Sequence, residues 1–209
     1  MFMIKPGVLQ QLMSITTGRH LDSFGGIPVT RVIRFRSDTP NNVVHDILQI
    51  LDRDNPTKQL TNVINELEKD KGISGLWVGP AYAFNEIVMD YTDATLVTEE
   101  NKYCLEHGFS SLLSEIKFRE PCYMVTENNI AVSVCFSARN SDKAAEAGVE
   151  TLEDYRGKGY AIRVASSWAQ AIRQSQRIPL YSTSWDNYSS QSVAKRLQLH
   201  FYGTDISIY

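Results

Sequence analysis

A strand that runs into a helix through two glycines and a basic pair leaves few choices of fold. The chain reads this way over Gly148-Val149-Glu150-Thr151-Leu152-Glu153-Asp154-Tyr155-Arg156-Gly157-Lys158-Gly159-Tyr160-Ala161. The first turn of a helix carries NH groups without intrahelical partners, and several of them can converge on one anion. The segment therefore predicts a phosphate cradle. Behind it Ala161, Ala165, Trp168 and Ile172 recur at helical spacing, one apolar stripe to face a sheet.

Spacing separates the phosphate loops that such a turn could be. A nucleoside-triphosphate loop needs four residues between its glycines and then Lys-Ser or Lys-Thr, whereas one residue parts Gly157 from Gly159. A dinucleotide fingerprint needs a third glycine where Ile162 stands and an acidic residue about twenty positions on, where the chain has Pro179-Leu180-Tyr181-Ser182. What remains is Arg-x-x-Gly-x-Ala, at Arg156, Gly159 and Ala161, although a solvated turn uses the same residue types. This motif resembles the acetyl-CoA pyrophosphate loop of the GNAT superfamily of N-acetyltransferases.

The next residues extend the resemblance. Ile178 to Trp185 read as a strand and Asp186 to Leu197 as a helix, with Asp186 or Asn187 accepting its first free NH groups and Val193, Ala194 and Leu197 giving an apolar face. Asn-x-x-Ser-x-x-Val, at Asn187, Ser190 and Val193, is similar to the second half of the GNAT cofactor site. The likeness covers about residues 85 to 209. Glu146 to Thr151, with Pro179 to Asn187 later, looks like one bacterial branch with an N-terminal lobe and mostly unassigned substrates.

The resemblance implies an α/β (α+β) GNAT acyl-CoA N-acyltransferase fold. Its sheet is mixed and mostly antiparallel, flanked by helices, with a lobe at 1–75 that helps shape the acceptor site and a GNAT domain at 76–209. It implies acetyl-CoA as co-substrate and a primary amine as acceptor, joined by direct attack in a ternary complex. The backbone near Val149 and Thr151 is expected to pair with the pantetheine arm. Arg156, Gly157, Lys158, Gly159, Tyr160 and Ala161 are expected to hold the pyrophosphate, with Asn187 and Ser190 across from them. Where many relatives carry a tyrosine that protonates the thiolate this chain has Ala194, and a usual glycine is Gln198. An acyl-CoA sensor without turnover is the alternative.

The transfer itself demands a neutral amine, and a free alkyl amine with a pKa near ~10.4 is mostly protonated at pH 7. A base or a water chain is needed. Alternation on the strand before the loop puts Glu146, Gly148 and Glu150 on one face, opposite Ala147, Val149 and Thr151. Glu146, by its place before the loop, resembles the family's strand glutamate; Glu150 is the second choice. Of the tyrosines that could supply an acid (Tyr160, Tyr181, Tyr188 and Tyr202), Tyr188 is preferred because it begins the helix beside Asn187.

Composition agrees with a soluble enzyme. The 209 residues, 43% hydrophobic, suffice for one sizeable core or a core and a small lobe, and a formal charge of -3 lacks the basic footprint of a nucleic-acid binder. No apolar run is as long as a membrane span, and the first residues lack a secretory segment, so the expected place is the cytoplasm. Neither nucleic acid nor membrane is an expected partner; a homodimer is the assembly considered. Cys104, Cys122 and Cys135 lack ligand spacing, and His20, His45, His107 and His200 form no short pattern, so no metal is expected.

Elsewhere residues 7 to 15 look helical, Ile27 to Phe35 alternates like a strand, and Val43 to Leu51 and Leu60 to Leu67 read as amphipathic helices. Leu76 to Phe84 is a strand or a crossing segment. Thr95 to Val97 reads as a strand, with Thr98 capping a helix through Leu105, and Ser110 to Ile116 as a further helix. Cys122 to Thr126 and Ile130 to Ser137 form a hairpin across Glu127-Asn128-Asn129.

Overall fold

The computed structural model describes residues 13–19, 29–53, 56–70, 72–85 and 93–209. In chain order its strands and α-helices are β1 (Met13–Arg19), β2 (Val29–Phe35), α1 (Asn41–Arg53), α2 (Pro56–Asp70), β3 (Leu76–Ala83), β4 (Thr95–Leu96), α3 (Ser110–Glu115), β5 (Cys122–Glu127), β6 (Ile130–Asn140), β7 (Ala144–Thr151), α4 (Tyr160–Gln174), β8 (Ile178–Ser182), α5 (Tyr188–Arg196) and β9 (His200–Ile208). The chain divides into two compact units. One comprises the described residues up to Gly79 together with Gly203–Tyr209, and the other runs from Pro80 to Tyr202.

In the first unit β1 pairs antiparallel with both β2 and β9. Residues 13 to 15, expected to be helical, are the start of β1. Helical periodicity there is overridden by two partner strands, which take the hydrogen bonds of both edges; residues 7–12 lie outside the described part of the chain. Val43, Ile47 and Leu51 of α1 meet Val63 and Leu67 of α2 and Ile208 of β9 in a core that also takes Ile33 and Phe35. The spacing of four along each helix is the stripe the sequence predicts. Tyr209 closes the unit by donating its NH to the Gly75 carbonyl (2.9 Å) and accepting from Ser74 (2.6 Å).

The second unit holds the mixed, mostly antiparallel sheet expected, in the order β3-β8-β7-β6-β5-β4. Among these neighbours only β7 and β8 run parallel. The hairpin of β5 and β6 turns through Asn128 (φ 52°) and Asn129 (φ 63°), the left-handed pair a two-residue turn demands. One residue of β6 is extra opposite Ala147 and Glu146, where the register steps from Ser137 to Arg139. Arg119 clasps that bulge: its Nη1 donates to the Ala138 carbonyl (2.8 Å), and its own carbonyl accepts from Ser137 NH (2.8 Å).

Cores form on both faces of this sheet. One joins Cys104, Leu105, Phe109, Leu112 and Ile116 to Cys122, Met124 and Val134, with Phe136 and Leu152 packed against it. The other joins Val132, Cys135, Ala145 and Ala147 to α4 and to Tyr181 and Ala194. Helix α4 is buried beyond the single stripe expected, since Val164, Ser166, Ser167 and Ala169 are enclosed as well as Ala165, Trp168 and Ile172. The sheet covers one side, while Phe84, Ala194 and partly buried Val193 and Leu197 pack into the same cluster. Trp168 Nε1 donates to Ser137 Oγ at 3.1 Å, which gives the buried indole NH its partner.

The helix expected behind Thr98 is a 3₁₀ turn, Lys102–Leu105, and Thr98 does not cap it. Asn101 Oδ1 accepts from Thr98 NH (2.8 Å) and the Thr98 hydroxyl donates to Glu100 (2.6 Å), so the amide rather than the hydroxyl closes the turn. Gly148 is a packing requirement. A Cβ there would lie 2.5 Å from the Phe136 ring, its partner in register on β6.

Helices α4 and α5 both end on a glutamine in the left-handed region, Gln176 (φ 60°) and Gln198 (φ 53°). At α5 the NH of Leu199 bonds the Ala194 carbonyl (3.0 Å) and the NH of Gln198 the Lys195 carbonyl (3.0 Å), a helix stop that favours glycine. Gln198→Gly is expected to raise stability by about 0.5–1 kcal/mol, read as a higher denaturation midpoint. Gly148→Ala is expected to destabilise by about 1–3 kcal/mol through its clash with Phe136.

Candidate active site

β7 and β8 pair for three residues, Ala144 with Ile178 through Glu146 with Leu180, and then part. Beyond Glu146 one edge of β7 has no strand of the described residues beside it, while β6 still pairs with the other as far as Thr151. The Glu150 carbonyl accepts from Ser133 Oγ (3.1 Å) on the β6 side, and the Leu152 NH donates to Val132 O there (3.0 Å). Since successive residues turn their NH and C=O groups to opposite edges, Val149 and Thr151 present theirs to the open side. Thr151 also holds β6 through its hydroxyl, 2.8 Å from Ser133 Oγ.

A cavity of about 780 Å³ lies in this gap. Its walls are β7 from Val149 to Thr151, the loop around Gly157 and Gly159, the first turn of α4, Tyr181 of β8, and α5. Gly108 and Phe109 contribute from before α3.

The loop turns through Gly157 (φ 77°) and Gly159 (φ 87°), both left-handed, which side chains resist. Arg156 NH is already donated to the Glu153 carbonyl (3.1 Å), so the free donors begin one residue later than expected. From Gly157 through Ala161 the NH groups donate to no backbone carbonyl of the described residues, and Ile162 NH bonds Gly159 O (3.2 Å) to start the helix. Five consecutive free donors thus lie at the positive end of α4, the kind of place where anions are held.

The side chains of the two loop cations take partners close by in the chain. Arg156 Nε lies 3.4 Å from the Thr151 carbonyl, and Lys158 Nζ sits 4.7 Å from the centre of the Tyr155 ring. Arg156 lines the cavity and Lys158 does not. Tyr160 gives its hydroxyl to Glu127, which raises its pKa, and stacks its ring 5.3 Å from the Arg163 guanidinium. A further cation beside the loop is Arg196, whose Nη2 comes within 3.8 Å of the place a Gly159 Cβ would take. Sequence reading missed it. Ser189, Ser192 and Arg196 recur at steps of three and four, a polar stripe of α5 that helical periodicity alone predicts, and all three line the cavity.

At the start of α5, Asn187 Oδ1 accepts from Ser190 NH at 3.0 Å, the cap expected. Tyr188, the preferred acid, is 78% exposed and outside the cavity walls. Tyr181, which does line the cavity, has its hydroxyl 2.5 Å from Ser190 Oγ, and burial pushes its pKa up to about 12.

The two strand carboxylates differ. Glu146 is 15% exposed, accepts from Ser182 Oγ and lies 3.5 Å from Arg139 Nη1, on no wall of the cavity. Glu150 is exposed and lines it. Among the described residues no group of three or more His, Cys, Asp or Glu is placed to hold a metal, and no helix is long and apolar enough to cross a membrane. Cys122 and Cys135 are buried, and burial raises both thiol pKa values.

Residues 82–204 match the sequence profile of the GNAT acetyltransferase family. No curated protein matches the chain. Among solved structures, a GCN5-related N-acetyltransferase-like protein from Streptococcus suis is similar at TM-score 0.52 and 15% identity, over 95% of this chain and 84% of the other. An acetyltransferase of the GNAT family from Colwellia psychrerythraea is similar at TM-score 0.53 and 11% identity, over 85% and 76%. A GNAT-family protein from Novosphingobium aromaticivorans is similar at TM-score 0.51 and 14% identity, and the alignment takes in 65% of each chain. At these identities the likeness is one of fold.

Removing the cap with Asn187→Ala is expected to cost about 1 kcal/mol of stability, with Asn187→Asp retaining most of it. Thermal unfolding of the two variants against the parent chain checks this.

Proposed function

Since the chain belongs to the GNAT acetyltransferase family, we propose that it moves an acetyl group from acetyl-CoA to a primary amine of a small cationic acceptor, by direct attack in a ternary complex. The observation that carries this reading is the cavity between β7 and β8, lined at one end by four of the five residues with free NH groups and along its wall by an open strand edge. A CoA thioester needs both features, an anion site for its diphosphate and amide partners for its pantetheine arm. We assign the transferase to residues 76–209, within which the matched stretch falls, and treat 1–75 as a separate lobe. The reading places the enzyme in the cytoplasm.

Acetyl-CoA supplies the activated acyl carbon. On the protein side the NH groups of Gly157 to Ala161 hold the diphosphate, and Arg196 adds charge beside them, with Arg156 on the same cavity wall. Val149 and Thr151 pair by backbone with the arm, with Asn187 and Ser190 opposite. Glu150 is the carboxylate placed to attract a cationic amine and take its proton. Glu146, held by Arg139 and Ser182, is the weaker candidate for base and sets the geometry where the strands part.

Calorimetric titration with acetyl-CoA tests the cradle. Gly159→Glu, which adds a side chain and a negative charge at a left-handed position, is expected to weaken binding at least 100-fold; unchanged affinity would reject the site. Arg196→Ala is expected to weaken it about tenfold and flatten its salt dependence, as loss of one partly screened charge-assisted bond should. In a thiol-release screen of amines, Glu150→Gln is expected to lower turnover about 100-fold while sparing acetyl-CoA affinity. A Glu146→Gln variant that alone lost turnover would move the base to that residue.

A further inference from the structure

The bulge in β6 turns one arginine over. Ser137 faces α4, where it holds the Trp168 indole, and Phe136 faces the other side of the sheet, packed against the core of Cys104 and Leu105. Strict alternation after them would send Ala138 to the Phe136 side and Arg139 toward α4. The extra residue reverses that, and Arg139 comes to lie opposite Glu146 with its Nη1 3.5 Å from the carboxylate. Arg119 holds the bulge by the Ala138 carbonyl at 2.8 Å. The Arg139 side chain is 36% exposed, and its guanidinium makes no hydrogen bond among the described residues. Most of its fork is thus unspent, beside a carboxylate whose other oxygen is taken by Ser182.

Glu146, Gly148 and Glu150 share this face of β7, flanked in register by Leu180 of β8 and Phe136 of β6. Leu180, Glu146, Gly148 and Phe136 are half-buried, whereas Ala145, Ala147 and Tyr181 on the α4 face are enclosed. From the ion pair to Glu150 the strand runs about 13 Å. Between those ends lies no charge: Gly148 carries no side chain, and the Phe136 ring takes its place. Building on the acetyl-transfer reading, we infer that the acceptor is an α-amino acid whose side chain ends in a primary amine, with the Arg139 fork on its carboxylate, Glu146 Oε2 on its α-ammonium and its methylenes over Phe136 and Leu180. A carboxylate and an ammonium on one carbon match an adjacent guanidinium and carboxylate. A plain diamine fits worse, since its far ammonium would meet the guanidinium as well as the carboxylate. The terminal ammonium, at the Glu150 end, gives one proton to that carboxylate or to water, and the neutral nitrogen attacks the acyl carbon. The C–N bond forms, the C–S bond breaks with its electron pair on sulfur, and the second proton of the nitrogen passes through water to the thiolate.

Lysine, cadaverine and ε-aminocaproate separate the contacts, for cadaverine lacks the carboxylate and ε-aminocaproate the α-amine. In a thiol-release assay with acetyl-CoA and the full chain, lysine is expected to give a kcat/KM about 50-fold above cadaverine and about tenfold above ε-aminocaproate, chiefly through KM. Arg139→Gln should bring lysine down to within about threefold of cadaverine, and Arg139→Lys, which keeps the charge without the fork, should recover part of the preference. Equal kcat/KM on lysine and cadaverine in the parent chain, or a lysine preference that survives Arg139→Gln, overturns the inference. Turnover of other primary amines but not of lysine overturns it too and leaves the acetyl-transfer reading standing. If no amine is turned over, that reading falls instead, and calorimetric titration of lysine into the chain with CoA decides the amino-acid site: binding lost in Arg139→Gln upholds it, and no binding, or binding that Arg139→Gln leaves unaltered, overturns it.

Discussion

The site depends on two parallel strands that stop pairing. β7 and β8 share three registered residues and then diverge, and from that point β7 has a bonded edge and a free one. Backbone amides tolerate such a gap only where water or a ligand can reach them. The divergence also fixes what lies around it, since β7 leads into the glycine loop and α4, and β8 into α5. Both helices begin at the cavity. One interruption in a ladder thus brings together a strand edge, a helix N-terminus and the polar stripe of a second helix.

Much of this was legible in the residues because it is local. The loop, the cap at Asn187, the asparagine hairpin and the alternation of β7 all follow from short-range rules, and Gly157 and Gly159 adopt the conformations that mark them in the sequence. What escaped depends on neighbours distant in sequence. Whether Lys158 faces a phosphate or the Tyr155 ring, and whether Glu146 is free or bound by Arg139 and Ser182, is set by partners no local pattern names. Gly148 looked like part of the motif and answers to Phe136 across the sheet. Residues 13 to 15 are a strand because β2 and β9 flank them, which their own propensity does not reveal.

The charge pattern carries a similar lesson. A basic pair in a phosphate loop invites the reading that its side chains bind phosphate. Here a run of free backbone NH groups lies at the loop, and a guanidinium from α5 comes up beside Gly159. Dividing the work between two helices ties anion binding to the placement of α5, which the Ser190–Tyr181 contact and the Asn187 cap both hold.

The enclosure of α4 has a mechanical meaning. From Val164 to Ala169 every side chain is buried, and Ala165, Ser166, Ser167 and Ala169 are small enough for neighbours to approach closely around the axis. With Trp168 pinned to Ser137 in the sheet, the helix sits like a shaft in a bearing, unable to roll or tilt without opening voids. Its first turn carries the free NH groups of Tyr160 and Ala161, so the directions of those two are settled when the chain folds, and little of their orientational freedom is left to lose on binding.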